Sequence, residues 1–159
     1  MALPCTEQAL VQFLREAKHA TYASSGDSAS LNPLLPGTKQ LEHCSGDFFY
    51  RDIYAGMIRF VGQEIVYFQD KPIWSMAYSG GTLPDIDISQ IADIYAFLRQ
   101  ALRHIPEALP LRGPEHFEDS GYRYHNQSAG VLTRFHGEEH LFSKDTLLYA
   151  LHYCGGVLI

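Results

Sequence analysis

Two histidines four residues apart frame His136-Gly137-Glu138-Glu139-His140, a spacing that holds zinc in proteases when one helical face presents both imidazoles with a glutamate beside them. The surrounding residues argue against that chemistry. The stretch belongs to an R-F-x-G-x-E pattern that occurs twice, as Arg59-Phe60-Val61-Gly62-Gln63-Glu64 and Arg134-Phe135-His136-Gly137-Glu138-Glu139. Val61 and Ile65 stand in the first copy where His136 and His140 stand in the second, and the pattern predicts a turn at His136-Gly137 and a strand at His140. No metal site is expected, although His125, His140 and His152 could converge from adjacent strands.

The charged members of the pattern admit two chemistries. Arg59 with Glu64, and Arg134 with Glu139, read most simply as structural ion pairs, each tying the segment after one strand to the next through a bidentate bond. The functional alternative sets the two glutamates near a pseudo-twofold axis, facing one ligand. His152, expected opposite Glu139, would then give one half a titratable partner for general acid-base work as a hydrolase or isomerase. No nucleophile emerges. The serines lack a G-x-S-x-G context, Cys154 replaces Ser79 in a nearly identical turn, and the adjacency of His43 and Cys44 in the chain does not place a base near a thiol in space. Gly80-Gly81 and Gly155-Gly156 end strands rather than open helices, so no phosphate cradle and no cofactor are expected.

These residues must be positioned by a fold, and the repeat says which. Ala55 to Leu83 returns, with one insertion, as Ala129 to Leu158. Identities run from Ala55/Ala129 and Gly56/Gly130 through the shared pattern to Asp70/Asp145, Tyr78/Tyr153, Gly80/Gly155, Gly81/Gly156 and Leu83/Leu158. Each copy follows an amphipathic helix. The first has Thr6 as N-cap with Leu10, Phe13, Leu14 and Ala17 at helical spacing; the second has Ser89 as cap and a stripe of Ile91, Ile94, Tyr95, Leu98, Ala101, Leu102 and Ile105 before Pro106. Strands are predicted at Phe48 to Ala55, Glu64 to Gln69 and Pro72 to Ser79, matched by Tyr122 to Ala129, Glu139 to Ser143 and Leu147 to Tyr153. Gly62 and Gly137 mark turns before the second strand of each half. Thr21 to Ser45, rich in Ser, Gly, Pro and Asn, reads as a mobile loop.

The expectation is one α+β domain over 1–159, built of two tandem α-β-β-β repeats (6–83 and 89–158) that form an antiparallel sheet with helices on one face. Hairpin turns at Asp70-Lys71 and Asp145-Thr146 would pair Gln69 with Pro72, so that Ile65 faces Met76, Tyr67 faces Trp74 and Glu64 faces Ala77. One sheet face then carries Ile65, Tyr67, Trp74, Met76, Tyr78, Phe142, Tyr149, Leu151 and Tyr153. The other, lined by Val66, Phe68, Ser75, Ala77, Leu141, Leu148 and Ala150, would receive the helices. The aromatic face would need a cover: loops, a second copy in a homodimer, or a ligand oriented by tyrosine hydroxyls and Arg59.

Composition narrows the partners. The 159 residues are 46% hydrophobic and 19% charged, with a formal charge of −6 and no Lys/Arg run, which lacks the electrostatic footprint of direct nucleic-acid binding. Three unclustered cysteines, Cys5, Cys44 and Cys154, fit a reducing cytosol rather than a disulfide framework or zinc site. The opening residues lack a basic n-region, and no stretch approaches 18 uncharged apolar residues, so neither export nor membrane insertion is indicated; the expected location is cytoplasmic.

Longer motifs carry a resemblance. F-L-x-x-A-K-x-x-T-Y-A at Phe13 to Ala23, L-L-P-x-[GT]-x-x-L-E at Leu34 to Glu42, Y-R-D-x-Y-x-G at Tyr50 to Gly56, F-x-G-x-E-x-V at Phe60 to Val66, P-x-W-x-M-x-Y-x-G at Pro72 to Gly80 and R-G-P at Arg112 to Pro114 resemble a bacterial family of domains of unknown function. Its members occur alone or after a helix-turn-helix in transcriptional regulators, which implies effector sensing or partner binding. The polar positions that the second half does not reproduce are the better functional candidates. The expected site lies around Tyr50, Arg51, Asp52, Trp74 and Tyr78, with Glu64 nearby, binding a small molecule or a protein partner without catalysis.

Overall fold

The computed structural model describes residues 3–21 and 32–158. Helix α1 spans Glu7–Ala20 and begins where expected, with the Thr6 hydroxyl accepting the Ala9 amide at 3.1 Å. Glu7 in its first turn and Lys18 and His19 in its last suit the helix dipole. Four strands follow: β1 (Lys39–Ser45), β2 (Phe48–Ala55), β3 (Arg59–Phe68) and β4 (Lys71–Thr82). After a single 3-10 turn at Ile88–Gln90 come α2 (Ile91–Leu102) and four further strands, β5 (His116–Asp119), β6 (Tyr122–Val131), β7 (Arg134–Ser143) and β8 (Thr146–Val157).

The strands form one antiparallel eight-stranded sheet in the order β1-β2-β3-β4-β8-β7-β6-β5. Each helix thus precedes four strands rather than three. The unforeseen strands are β1 and β5 at the two sheet edges. β1 occupies the end of the stretch read as a mobile loop, while the part of that stretch at 22–31 lies outside the described residues. The second helix also differs at its ends. Ser89 does not cap it: Asp87 caps the 3-10 turn, its carboxylate accepting the Ser89 amide at 2.8 Å, while α2 itself starts after Gln90 with no side-chain cap and stops at Leu102.

Both hairpin turns sit one residue earlier than expected. Gln69 and Asp70 both take positive φ (48° and 63°), the hairpin conformation that matches strand twist, and Phe68 pairs with Lys71. A bulge at Ile73 then adds a residue to β4, so that Val66 faces Trp74, Ile65 faces Ser75 and Glu64 faces Met76. The same device recurs at Leu148, setting Glu139 opposite Leu151. A one-residue slip turns every side chain of a strand over. Trp74, Met76, Tyr78, Tyr149, Leu151 and Tyr153 keep their expected face, but β3 and β7 are inverted, and Glu64, Val66, Glu139 and Leu141 join the aromatic face.

That face is the one the helices cover, contrary to the expected packing on the small-residue face. Phe13 of α1 stacks on Phe48 at 4.8 Å between ring centroids, and Phe97 of α2 lies 5.3 Å from Tyr122. The core is accordingly one cluster: Leu10, Leu14, Ile94 and Leu98 from the helices are fully buried with Val66, Trp74, Met76, Leu141, Tyr149 and Leu151 from the sheet. The opposite face carries Ala77, His152 and Cys154 exposed to solvent. No homodimer is needed to bury the aromatic face. Among the described residues no helix is long and apolar enough to cross a membrane.

Candidate functional site

The inverted register puts a carboxylate from each half under the helices. In the second half, Glu139 of β7 is fully buried and its oxygens are saturated. Arg112, from the segment between α2 and β5, donates from Nη2 to Oε1 at 2.5 Å and from Nε to Oε2 at 3.1 Å, while the Tyr149 and Tyr124 hydroxyls donate at 2.8 and 2.6 Å. Burial alone would raise the Glu139 pKa, but the guanidinium and the phenols outweigh it and hold the group below the ordinary carboxylate range. The loop closes over this site. The Gly113 amide donates to the Tyr124 hydroxyl at 3.1 Å, and Asn126 Nδ2 donates to the Gly113 carbonyl at 2.9 Å.

In the first half, Glu64 of β3 receives Lys18 Nζ at 2.5 Å, and the same ammonium donates to the Leu111 carbonyl at 2.9 Å. Lys18 is the last-turn cation of α1 turned inward; burial lowers its pKa and the Glu64 charge partly restores it. Across the β2–β3 pair, Asp52 faces Glu64 at the register position that Asn126 holds opposite Glu139. Asp52 Oδ1 accepts the Tyr78 hydroxyl at 2.6 Å, and Asn126 Oδ1 accepts that of Tyr153 at 2.9 Å. Burial, reinforced by the neighbouring Glu64 charge, pushes the Asp52 pKa up to about 7, against the Tyr78 hydrogen bond and the charges of Lys18 and Arg112. Burial and then the two carboxylates drive the Tyr50 and Tyr78 phenols well above their usual range.

The repeated R-F-x-G-x-E now has a physical meaning. Its glycine is where a tyrosine crosses: a Cβ on Gly62 would sit 2.3 Å from the Tyr78 hydroxyl oxygen, and one on Gly137 would sit 2.4 Å from that of Tyr153. Without these glycines neither phenol could lie across the neighbouring strand and reach the residue beyond. The phenylalanine packs on that tyrosine, with centroids 5.9 Å apart for Phe60 and Tyr78 and 6.3 Å for Phe135 and Tyr153. The glutamate is the buried carboxylate. Arg59 and Arg134 are exposed, so the expected Arg-Glu ion pairs are replaced by Lys18 with Glu64 and Arg112 with Glu139.

The first of these sites opens onto space. A cavity of about 500 Å³ lies over it, with Lys18, Tyr50, Asp52, Glu64, Tyr78 and Arg112 at its polar end. Tyr54 and Phe60 from the sheet side, Tyr95, Ile91 and Ala92 from α2, and Met57, Ile58 and Ile88 supply an apolar wall, the last three at an exposed rim. Its size and its mixture of apolar lining with a few converging polar groups are those of a small-molecule site.

Four of the six expected site residues, Tyr50, Asp52, Glu64 and Tyr78, line this cavity; Arg51 and Trp74 do not. Arg51 alternates to the outer face, donating to Glu42 at 2.8 Å. Trp74 is wholly buried, stacked on Phe135 at 5.7 Å, with its Nε1 donating to the Leu132 carbonyl at 3.3 Å. Lys18 and Arg112 were missed, although both sit in motifs already singled out, F-L-x-x-A-K and R-G-P. His152 also departs from expectation. It faces Glu138, not Glu139, and its Nδ1 lies 3.6 Å from that half-buried carboxylate. The His136-to-His140 stretch runs within β7, with no turn at His136-Gly137. His125 and His140 are cross-strand partners, yet among the described residues no His, Cys, Asp or Glu group is arranged to hold a metal ion. His43 pairs with Glu16 at 2.8 Å on the helix side, whereas Cys44 is exposed.

A model of the Domain of unknown function (DUF5680) family matches residues 52–158, and the chain belongs to that family. The match takes in Asp52, Glu64, Tyr78, Arg112 and Glu139; Lys18 and Tyr50 precede it. No curated protein and no solved structure matches the chain.

Proposed function

We propose that this DUF5680 chain is a small-molecule binding module whose guest occupies the cavity over the first half of the sheet. Its polar end lies against Asp52, Glu64 and Tyr78, and its apolar body lies along Tyr54, Phe60 and Tyr95. The observation that carries this reading is the contrast between two matched sites. Where the second half saturates its carboxylate and closes a loop over it, the first leaves an additional carboxyl at the floor of an aromatic cavity. Buried polar groups that are not fully partnered within a fold are costly, and a ligand that satisfies them recovers that cost on binding. An effector-sensing role, which the resemblance to regulator-linked domains implies, would use this cavity.

The test is a ligand-observed NMR screen of a metabolite library against the wild-type chain and Ala92→Trp. Ala92 is an exposed residue at the cavity wall, so a tryptophan there fills the space without entering the core. The expected result is a saturable binder that Ala92→Trp loses. A library without any such binder, or binders indifferent to the substitution, would sink the reading.

Proton-transfer catalysis is the second reading, and Asp52 is what favours it: a buried carboxyl poised near neutrality at the floor of a cavity suits general acid-base work. His152 has no part in it, being on the opposite face. Turnover of a bound guest that vanishes in Asp52→Asn while binding persists would establish this second reading.

A further inference from the structure

The geometry points to a protonated amine as the guest: a small molecule with an aliphatic or aromatic body whose cationic nitrogen sits against Asp52 inside the ring of tyrosines. This inference rests on the binding reading and names its ligand class. Asp52, Glu64, Lys18 and Arg112 line the floor, and Arg112 also reaches Glu139 in the closed second site. Glu64 is matched by Lys18 and Glu139 by Arg112, each at 2.5 Å, and Asp52 forms no ion pair among the described residues. Its one hydrogen bond there is from Tyr78 to Oδ1, which leaves Oδ2 for a donor arriving from the cavity that Asp52 lines. An ionised carboxylate at 5% exposure without a counter-charge is unstable; the fold can protonate it or a guest can bring the missing cation.

The walls suit the same guest. Phe60 has Tyr54, Tyr78, Tyr95 and Tyr149 around it at centroid distances of 6.2, 5.9, 6.2 and 6.5 Å, and aromatic faces attract desolvated cations. The fold already makes one such contact, Arg112 Cζ lying 5.8 Å over the Tyr78 ring. A carboxylate guest would instead meet Asp52 and Glu64 with both floor cations already engaged.

The groups that face Asp52 set the pH dependence. They are Tyr50 on its own strand, Glu64 from β3, Tyr78 from β4, Lys18 from α1 and Arg112 from the loop before β5; α2 adds Tyr95 and the half-buried Arg99 to the cavity wall. Asp52, with a pKa pushed up to about 7, changes charge near neutrality. A cation therefore binds best above the Asp52 pKa and loses affinity as the carboxyl takes its proton.

The probes are a matched set: 4-phenylbutylamine, 4-phenylbutanol and 4-phenylbutyrate, titrated by calorimetry or protein NMR into the whole chain. At about pH 8 the amine is expected to bind roughly tenfold or more tighter than the alcohol, the ratio shrinking several-fold towards about pH 6 while alcohol binding stays flat. Asp52→Asn should bring amine and alcohol to near parity. This variant is expected to fold, because Asn126 holds the corresponding place and accepts the same tyrosine contact. Equal binding of amine and alcohol, unchanged in Asp52→Asn, would overturn the amine inference and leave the cavity reading intact. Tightest binding of the butyrate would overturn it in favour of anion recognition by Arg99 and Lys18. If none of the three binds, the amine inference falls, and the library screen with Ala92→Trp separately decides the cavity reading.

Discussion

The Glu139 and Glu64 sites share a plan and differ in one atom type and one cation. Both set a glutamate opposite a polar residue on the preceding strand, and both bring a tyrosine across a glycine to hydrogen-bond that residue. At Glu139 the polar partner is the neutral amide of Asn126, and the cation is a guanidinium that grips both carboxylate oxygens. At Glu64 the partner is the ionisable Asp52, and the cation is the single-point ammonium of Lys18. A planar fork and an amide produce a closed, charge-balanced core; a point charge and a second acid leave an excess carboxyl, and there the fold has a cavity. The same pattern thus ends in a closed core in one half and beside an open cavity in the other, and the proposed binding role rests on that contrast.

Removing each cation separates the two sites most strongly. Arg112→Met strands a fully buried Glu139 and is expected to cost about 3–5 kcal/mol in denaturant unfolding. Lys18→Met should cost distinctly less, because water can reach the Glu64 end through the cavity. Equal losses would mean that the two sites are equally structural.

The next effect comes from exchanging the polar partners. Asp52 has a folded pKa of about 7 against an ordinary 3.8. The folded state therefore holds its proton more tightly than the unfolded chain, and the linked stability is fully present below about pH 4 and lost as the pH rises through 7. The whole loss amounts to about 4 kcal/mol. Asp52→Asn abolishes that slope and should stabilise the chain above pH 7 by on the order of 2 kcal/mol, since the amide brings donors of its own that only cavity water can meet. Asn126→Asp should do the reverse, destabilising the chain at neutral pH and introducing a slope of the same sign. Thermal melts of the two variants across that pH range check both, and a flat wild-type profile would remove the basis for treating Asp52 as a titrating group.

Much of this was legible in the chain, and the failures are local. The periodicity located α1 and the inner strands β2 to β4 and β6 to β8, and it placed Trp74, Met76, Tyr78 and Tyr153 on one face. It missed β1 and β5, whose pairing comes from a neighbour rather than from their own short, mixed sequences. It also could not see that positive φ at Gln69 and a bulge at Ile73 would move the register by one, and that single residue decides whether Glu64 and Glu139 face water or core. The site was half legible for a related reason. Asp52 stood out as a charged position that the second half does not reproduce, whereas Lys18 and Arg112 meet the glutamates across 46 and 27 residues of chain, a convergence that only the tertiary fold creates. Trp74 misled because rarity and aromaticity mark a core anchor as readily as a ligand platform.

The finest difference between the sites lies in their tyrosines. Tyr78→Phe and Tyr153→Phe each delete one buried hydrogen bond, at 2.6 and 2.9 Å, and each should cost about 1 kcal/mol. Their electrostatic consequences should part. The Tyr78 hydroxyl lowers the Asp52 pKa against burial and the Glu64 charge, so its loss should carry that carboxyl above about 7, visible in a carbon-13 NMR titration of the side-chain carboxyl. Tyr153 donates to an amide that does not titrate, and Glu139 stays depressed under Arg112, Tyr124 and Tyr149. Its carboxyl signal should therefore show no titration near neutrality in either variant. An Asp52 titration unmoved by Tyr78→Phe would show that this phenol does not hold the carboxyl in the folded chain, and would remove the hydrogen bond that occupies Oδ1.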